Sequence, residues 1–472
     1  MGILLLIEGF FMLLCIPVAL IYHEHDLTEI LIASLINLTG GATLFFLFRK
    51  SDMRIGTREG YLIVTFGWVL FSLFGALPFY ISGAIPTYTD AFFETISGFT
   101  TTGASILSDI ESLTHSMLFW RSIIQWLGGM GIIVLTLVIL PILGIGGMQL
   151  FVAEVPGITY DKLHPRIKET AKRLWGIYFI FTVSEIILLS FGGMDIFDAI
   201  CHSFTTLATG GYSTKNLSIG YYDSPFIQYV FIFFMFLAGV NFALSYFMLK
   251  LRFKPLFKDE EFRYYLSFIL IFTILITIIL GVTNKQPVEK SFRTALFHVV
   301  SIITTTGYVT TDYLKWVPIG SVILFTLMFL GGSTGSTGGG VKIARVALLL
   351  KNSFLELKRL IHPNAVIPVR LNNKAVSPQI LTNILAFASF YIIIVIFSVI
   401  IVSFMGYNLD TSFGAVATTI GNIGPGIGEV GPATNFSHFP VYGKWFLCFL
   451  MLIGRLELFT VLIIFSRHFW KN

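Results

Sequence analysis

Ten apolar runs divide the chain, at residues 3–21, 29–48, 61–82, 122–146, 174–194, 226–249, 265–283, 316–350, 380–405 and 441–466. A helix needs about 20 apolar residues to cross a bilayer. Each run reaches or nears that length, so the pattern predicts ten transmembrane crossings. The first run lacks the basic start and A-x-A cleavage pattern of a signal peptide, and it reads as a spanning helix. The eighth is broken by GGSTGSTGGG at 331–340. An even number of crossings returns both termini to one side.

The polar connections then sort by charge. One group holds RKSDMRIGTREG, DKLHPRIKETAKR, KLRFKPLFKDEEFR, KNSFLELKRLIHPNAVIPVRLNNK and the tail RHFWKN. The other comprises 22–28, 83–121, 195–225, 284–315 and 406–440, and residues 83–120 and 406–440 contain no Lys or Arg. The excess of positive charge on cytoplasmic loops places the first group, with both termini, in the cytoplasm.

Each of the last four outer connections holds a semi-apolar segment too short to cross: 90–100, 198–208, 294–304 and 411–420. Such a segment can dip into the membrane and return where protein or a water-filled cavity surrounds it. Aligned without gaps, Asp90-Ala-Phe-Phe-Glu94 falls on Asp198-Ala-Ile-Cys-His202, Thr294-Ala-Leu-Phe-His298 and, more loosely, Thr411-Ser-Phe-Gly-Ala415. The alignment runs on into GFTTTGAS, TLATGGYS, IITTTGYV and TIGNIGPG, with Gly103, Gly211, Gly307 and Gly424 in one column. Chance recurrence of T-x-G is the alternative. Four gapless matches, each between two spans and on the outer side, argue against it.

The repeating unit is helix, re-entrant half-helix, glycine-containing strand, helix. It crosses twice, so every copy keeps one orientation, as in parallel repeats about an axis along the membrane normal. The expected fold is an all-α membrane protein with four parallel M1–P–M2 pore repeats around a pseudo-fourfold pore, plus two extra N-terminal helices. The divisions fall at 1–50 (the extra pair), 51–150, 151–255, 256–362 (with the intramembrane loop 331–340) and 363–472.

Composition agrees: 55% of the 472 residues are hydrophobic and 12% charged, against roughly 25% charged in soluble domains. The mean hydropathy is +0.82. Cys15, Cys201 and Cys448 lie far apart and form no CxxC or Cys/His metal spacing. No nucleophile–base or metal constellation stands out, so an enzyme is not expected.

The repeated phrase has the chemistry of a cation filter. A filter points backbone carbonyls at the ion in place of water, and glycine permits the dihedrals this needs. Threonines add hydroxyl oxygens and a stiff backbone. The candidate residues are Thr101, Thr102, Gly103, Thr209, Gly210, Gly211, Thr305, Thr306, Gly307, Asn422, Ile423 and Gly424. Asp90, Asp198, Thr294 and Thr411 are candidate caps, and the partly negative C-terminal end of each half-helix would face the pore. Asp109 and Glu111 add negative charge at the outer mouth. Behind the filter, Glu94, His202 and His298 share a column completed by Ala415. They are either an ion- or proton-binding ring or ties between half-helices and their neighbours, and the second reading is preferred. HEHD at 23–26 reads as a solvated turn rather than a metal site.

The 331–340 sequence cannot sustain a helix, since each glycine costs about 1 kcal/mol relative to alanine. It lacks the Walker pattern of a phosphate loop. The second helix of each unit carries a small pair, Gly128-Gly129, Ala238-Gly239 or Gly331-Gly332, where the fourth copy has Gly454-Arg455. A guanidinium inside a span needs acceptors, and the 331–340 carbonyls are the natural ones. Loop and arginine together are expected to obstruct the pore below the filter.

Together the N-terminal pair, the four phrases, the 331–340 loop and GRLELFT at 454–460 resemble the Trk/Ktr/HKT superfamily of potassium transporters, specifically the TrkH type. The resemblance spans essentially the whole chain. It implies K⁺ as the transported ion, held by backbone carbonyls of the filter residues, with no covalent cofactor. It implies a gate formed by Gly331, Gly332, Gly335, Gly338, Gly339, Gly340, Lys342 and Arg455. It further implies a homodimer in the bacterial cytoplasmic (inner) membrane and a cytoplasmic TrkA-type (RCK) ring that binds ATP/ADP or NAD(H). No nucleic-acid partner is expected. Basic residues in 342–374 would dock that ring, although ordinary positive-inside charge and contact with membrane lipid explain them as well. Na⁺-carrying relatives often have serine at the first filter position, so Gly103 favours K⁺. TTIGNIGPG departs from T-T-x-G, which points to some tolerance of Rb⁺ or Na⁺. Symport of K⁺ with H⁺ or Na⁺ through the Glu94/His202/His298 column is the alternative mechanism.

Overall fold

The computed structural model describes residues 1–49, 56–134, 163–285 and 287–470. The repeat boundaries at 50/51 and 150/151, the end of the 122–146 run and parts of three basic connections lie outside them. Among the described residues, six helices are long and apolar enough to cross a membrane: Gly2–Ile21, Leu27–Phe48, Arg58–Ile81, Ala171–Phe191, Glu260–Thr283 and Pro378–Phe404. Two bent pairs, Pro225–Gly239 with Phe242–Leu249 and Val441–Arg455 with Phe459–Phe465, bring the number to as many as eight. The first is bent by 119° and the second by 114°.

Eight of the ten expected crossings correspond to these elements. A ninth is represented, as far as it is described, by the helix His115–Val134. The eighth run departs further. It forms only a ten-residue helix, Pro318–Leu327, then the glycine-rich loop, then a new helix, Ile343–Ile361. The first helix ends at Leu327, with three residues between it and the glycines, and the second carries Lys351, Lys358 and Arg359 on an amphipathic surface.

The extra pair packs by small residues, as helices in lipid do. A Cβ at Gly2 would lie 2.6 Å from the Gly41 carbonyl oxygen, and one at Gly41 2.9 Å from that of Gly2. β structure among the described residues is confined to one antiparallel turn of strand, Arg370–Leu371 with Lys374–Ala375, and an isolated bridge between Leu330 and Val341. Asn372 and Asn373 take positive φ at the corner of the turn, as a two-residue hairpin requires.

The four re-entrant helices are Tyr88–Phe99, Ile196–Leu207, Val288–Ile303 and Leu409–Gly421. All begin earlier than the candidate caps. Thr87, Asp195 and Asn408 cap them, accepting from the backbone N–H of Asp90, Phe197 and Thr411, and the third starts after Pro287 without a side-chain cap. The acids in the first turn are engaged elsewhere. Asp90 pairs with Lys444 at 2.5 Å, and Asp198 accepts from Thr214 at 2.6 Å and Tyr222 at 2.7 Å. Asp90 thereby ties the first half-helix to the Val441–Arg455 helix and Asp198 ties the second to the segment that follows it, and the residue before each helix is left to cap it.

Candidate ion pathway

Each re-entrant helix ends in a backbone kink at one alignment column. Thr101, Thr209, Thr305 and Asn422 all take left-handed φ, at 51°, 53°, 60° and 53°. That conformation is a genuine outlier for a β-branched residue, and such strain persists only where surrounding structure enforces it. Two residues on, Gly103, Gly211 and Gly307 are left-handed again, at 77°, 73° and 82°. Gly424 is not among the positive-φ residues. The fourth strand therefore departs in conformation as its sequence does.

These strands close a ring. A Cβ added at Gly103 would collide with the Gly210 carbonyl, and one at Gly211 with the Thr306 carbonyl. At Gly307 it would lie 2.8 Å from the Gly424 nitrogen, and at Gly424 2.8 Å from the Gly103 oxygen. Each copy thus abuts the next, and the fourth abuts the first. All four glycines line one cavity of about 450 Å³. Asp109 and Glu111 do not line it. Asp109 accepts from the Asn216 side chain and Glu111 from its backbone N–H, both at 2.9 Å, which binds the first outer loop to the second.

The threonine hydroxyls are mostly committed within the protein. Thr102 pairs with Thr100 and Thr306 with Thr304, each at 2.8 Å, while Thr209 donates to the Ala208 carbonyl at 2.6 Å. Thr305 accepts from the Gly339 N–H at 2.7 Å. Thr101 Oγ1 differs: it is buried without a hydrogen-bond partner.

The Glu94 column holds strands in place. Glu94 accepts from Ser105 Oγ and the Ile106 N–H at 3.0 Å and from Arg121 Nε at 2.7 Å. His202 lies 2.9 Å from Ser213 Oγ and His298 3.3 Å from the hydroxyls of Thr310 and Thr311. In the fourth copy backbone contact replaces the polar tie: a Cβ at Gly414 would meet the Ile427 backbone. In the HEHD turn, Glu24 accepts from the Ser116 N–H at 2.9 Å and Asp26 from Thr114 Oγ1 at 2.6 Å, which locks the N-terminal pair to the first repeat.

Beneath the ring lies the 331–340 loop. Thr337 Oγ1 donates to the Leu207 carbonyl at 2.9 Å, at the end of the second half-helix. A Cβ at Gly338 would lie 2.9 Å from the Thr304 oxygen, and one at Gly339 2.9 Å from that of Gly421. The loop therefore touches three of the four half-helix ends. Arg455, 2% exposed, reaches the fourth side: it donates to the Thr337 carbonyl at 2.7 Å and the Gly128 carbonyl at 3.2 Å. Lys342 Nζ donates to the Gly338 carbonyl, and the Gly335 carbonyl accepts from the Phe242 N–H at 3.2 Å. Gly340 turns with φ of 64° as the chain doubles back, where the Gly331 N–H meets the Val341 carbonyl at 2.8 Å. Glu457 points away from Arg455 and pairs with Arg345.

The TrkH family, described as a cation transport protein, matches residues 27–471. This chain belongs to the TrkH family. The Trk system potassium uptake protein TrkH of Escherichia coli K12 is 42% identical, covering 100% of this chain and 98% of that one. TrkI of Halomonas elongata is 35% identical, over 100% and 96%. The crystal structure of the potassium transporter TrkH from Vibrio parahaemolyticus superposes with a TM-score of 0.92 at 37% identity, over 100% and 98%.

In this TrkH-family chain the structure brings together every candidate filter residue and the whole 331–340 loop with Arg455. Three residues escaped the sequence reading. Glu261 Oε1 accepts from the Thr334 N–H at 2.6 Å and the Ala344 N–H at 3.1 Å, and so pins both ends of the loop. Arg121 links Glu94 of the first copy to the Ser213 carbonyl of the second, at 2.9 Å. One turn deeper on the same helix, Gln125 bonds to the second copy at the Gly210 carbonyl and the Tyr212 N–H. The signal for each was a polar residue within or at the edge of an apolar run.

Proposed function

We propose that this protein carries out potassium uptake across the bacterial cytoplasmic membrane through a gated, channel-like pore. Thr101–Gly103, Thr209–Gly211, Thr305–Gly307 and Asn422–Gly424 form the filter, and K⁺ takes backbone carbonyls in place of water there. The observation that carries this reading is the closed ring of four strands, three of them strained at a left-handed threonine, at one cavity. Potassium itself enters from the relatives, whose names are those of potassium uptake proteins.

The 331–340 loop, Lys342 and Arg455 form the gate below. Both termini face the cytoplasm, by the positive-inside bias. The chain pairs as a homodimer and takes a cytoplasmic nucleotide-binding ring of the TrkA type as its partner, since the Trk system names imply more than one component. Residues 342–374 are the docking segment. The chain divides into its N-terminal pair and four repeats at the boundaries given above.

Ion-coupled symport is the less favoured reading, because Glu94, His202 and His298 are engaged in holding filter strands. The test is the reversal potential of the purified protein in liposomes, with radiolabelled Rb⁺ uptake alongside. A potential that follows the K⁺ gradient alone is expected. A potential that shifts with an imposed pH or Na⁺ gradient would establish coupling instead, and no K⁺-driven uptake at all would refute the function.

A further inference from the structure

The four seams of the ring are not alike, and the difference centres on one side chain. Three residues before each small pair of the second helix stands Gln125, Met235, Met328 or Met451. All four are 0% exposed. Only Gln125 is polar. Its Nε2 donates to the Gly210 carbonyl at 2.8 Å, and its Oε1 accepts from the Tyr212 N–H at 3.1 Å. One side chain of the first copy thus brackets Gly211 of the second.

The strand it brackets is also the odd one. In the column before the filter glycine the copies carry Thr102, Gly210, Thr306 and Ile423. Only the second has no side chain there. A Cβ on Gly210 would fall within the Gln125 amide, overlapping its Cδ and Oε1 and lying 2.6 Å from Nε2. The Gln125 amide therefore occupies the space that a threonine or isoleucine fills in its own strand elsewhere.

We propose that Gln125 is a positioning residue for cation selectivity, its amide standing in for the side chain missing at Gly210 and fixing that carbonyl at the ion pathway. This deepens the filter reading and rests on it. A carbonyl that already accepts a hydrogen bond from protein is both held in direction and drawn on as an acceptor. The second copy would then present a weaker, fixed ligand to a passing ion than its three neighbours. Without the amide, the Gly210–Gly211 pair has no side chain to restrain it.

The test compares K⁺ and Na⁺ permeability in liposomes for the full chain and its variants. Gln125→Met, which installs the residue of the other three copies, should lower the K⁺:Na⁺ ratio about three- to tenfold, the range one hydrogen bond commands. Gln125→Met with Gly210→Thr reproduces the Met235–Thr306 seam and should restore the ratio to within about twofold. A merely structural role would lower the amount of folded protein or its total flux and leave the ratio unmoved. A wild-type ratio in Gln125→Met overturns the proposal. If that variant fails to reach the membrane, Gln125→Leu, which also removes the amide without adding charge, decides by the same criterion. Gly103→Ser serves as the reference. A changed ratio there with none at Gln125 sinks this inference alone, and no change at Gly103 sinks the filter reading.

Discussion

At the scale of single residues, the left-handed threonines show how much enforcement the ring requires. Thr101, Thr209 and Thr305 hold a conformation that costs of order 1–3 kcal/mol each, so each strand must be held from behind. Glu94 is the strongest of these holds, because it also neutralises Arg121, which is 2% exposed. Removing one partner of a buried pair costs about 3–5 kcal/mol, since the other charge is left uncompensated. Glu94→Ala should therefore lower the thermal unfolding midpoint in detergent by several degrees and abolish K⁺ flux. Glu94→Gln, which keeps an acceptor for Ser105, should lose less of both. An unfolding midpoint for Glu94→Ala equal to wild type would show that the tie holds nothing.

The glycine column, the threonines and Arg455 were legible in the sequence because recurrence made them visible. Glu261, Arg121 and Gln125 were not, because each acts on a different copy or a distant loop. No spacing within one segment reveals such a partner.

At the scale of elements, the broken helices of the second, third and fourth copies are where sequence and structure differ most usefully. A hydropathy window reads 316–350 as one interrupted span, but a helix cannot continue through GGSTGSTGGG. The loop instead satisfies its backbone on neighbours: the Ser333 N–H on the Gly239 carbonyl at 2.9 Å, and the Thr334 N–H on Glu261. The early half-helix starts were missed for a related reason. Asp90 and Asp198 look like caps from sequence alone, yet tertiary partners claim them, while Thr294 and Thr411 lie inside helices that start at Val288 and Leu409.

Arg455 anchors the loop to the first copy by its bond to the Gly128 carbonyl. Arg455→Ala should release that side and raise basal K⁺ flux several-fold, and deletion of 331–340 should raise it further. Measuring liposome flux in both variants checks the assignment, which fails if neither differs from wild type.

At the scale of the whole molecule, the architecture follows from the repeat, but the order of copies around the ring does not. The strands could have been arranged in several ways, and only contacts between distant segments decide. Asn422 donates to Thr102 at 2.9 Å, and the Phe436 N–H to the Ser105 carbonyl at 2.9 Å, so the last copy closes on the first. Chains truncated before residue 409 should insert into membranes yet conduct no K⁺. Co-expression of the missing C-terminal segment should recover uptake in cells dependent on it, and uptake by the truncated chain alone would contradict the closed ring.

The closure between the first and last copies also has a consequence for biosynthesis. Until the final quarter of the polypeptide leaves the ribosome, the earlier three stand in the bilayer as an open crescent, with the polar main chain of Gly103 facing no neighbour on that side. Hydrocarbon cannot satisfy those groups. The nascent protein must therefore keep that gap wet or shielded, by the translocation machinery or by trapped water, and its assembly is finished by its last-made part.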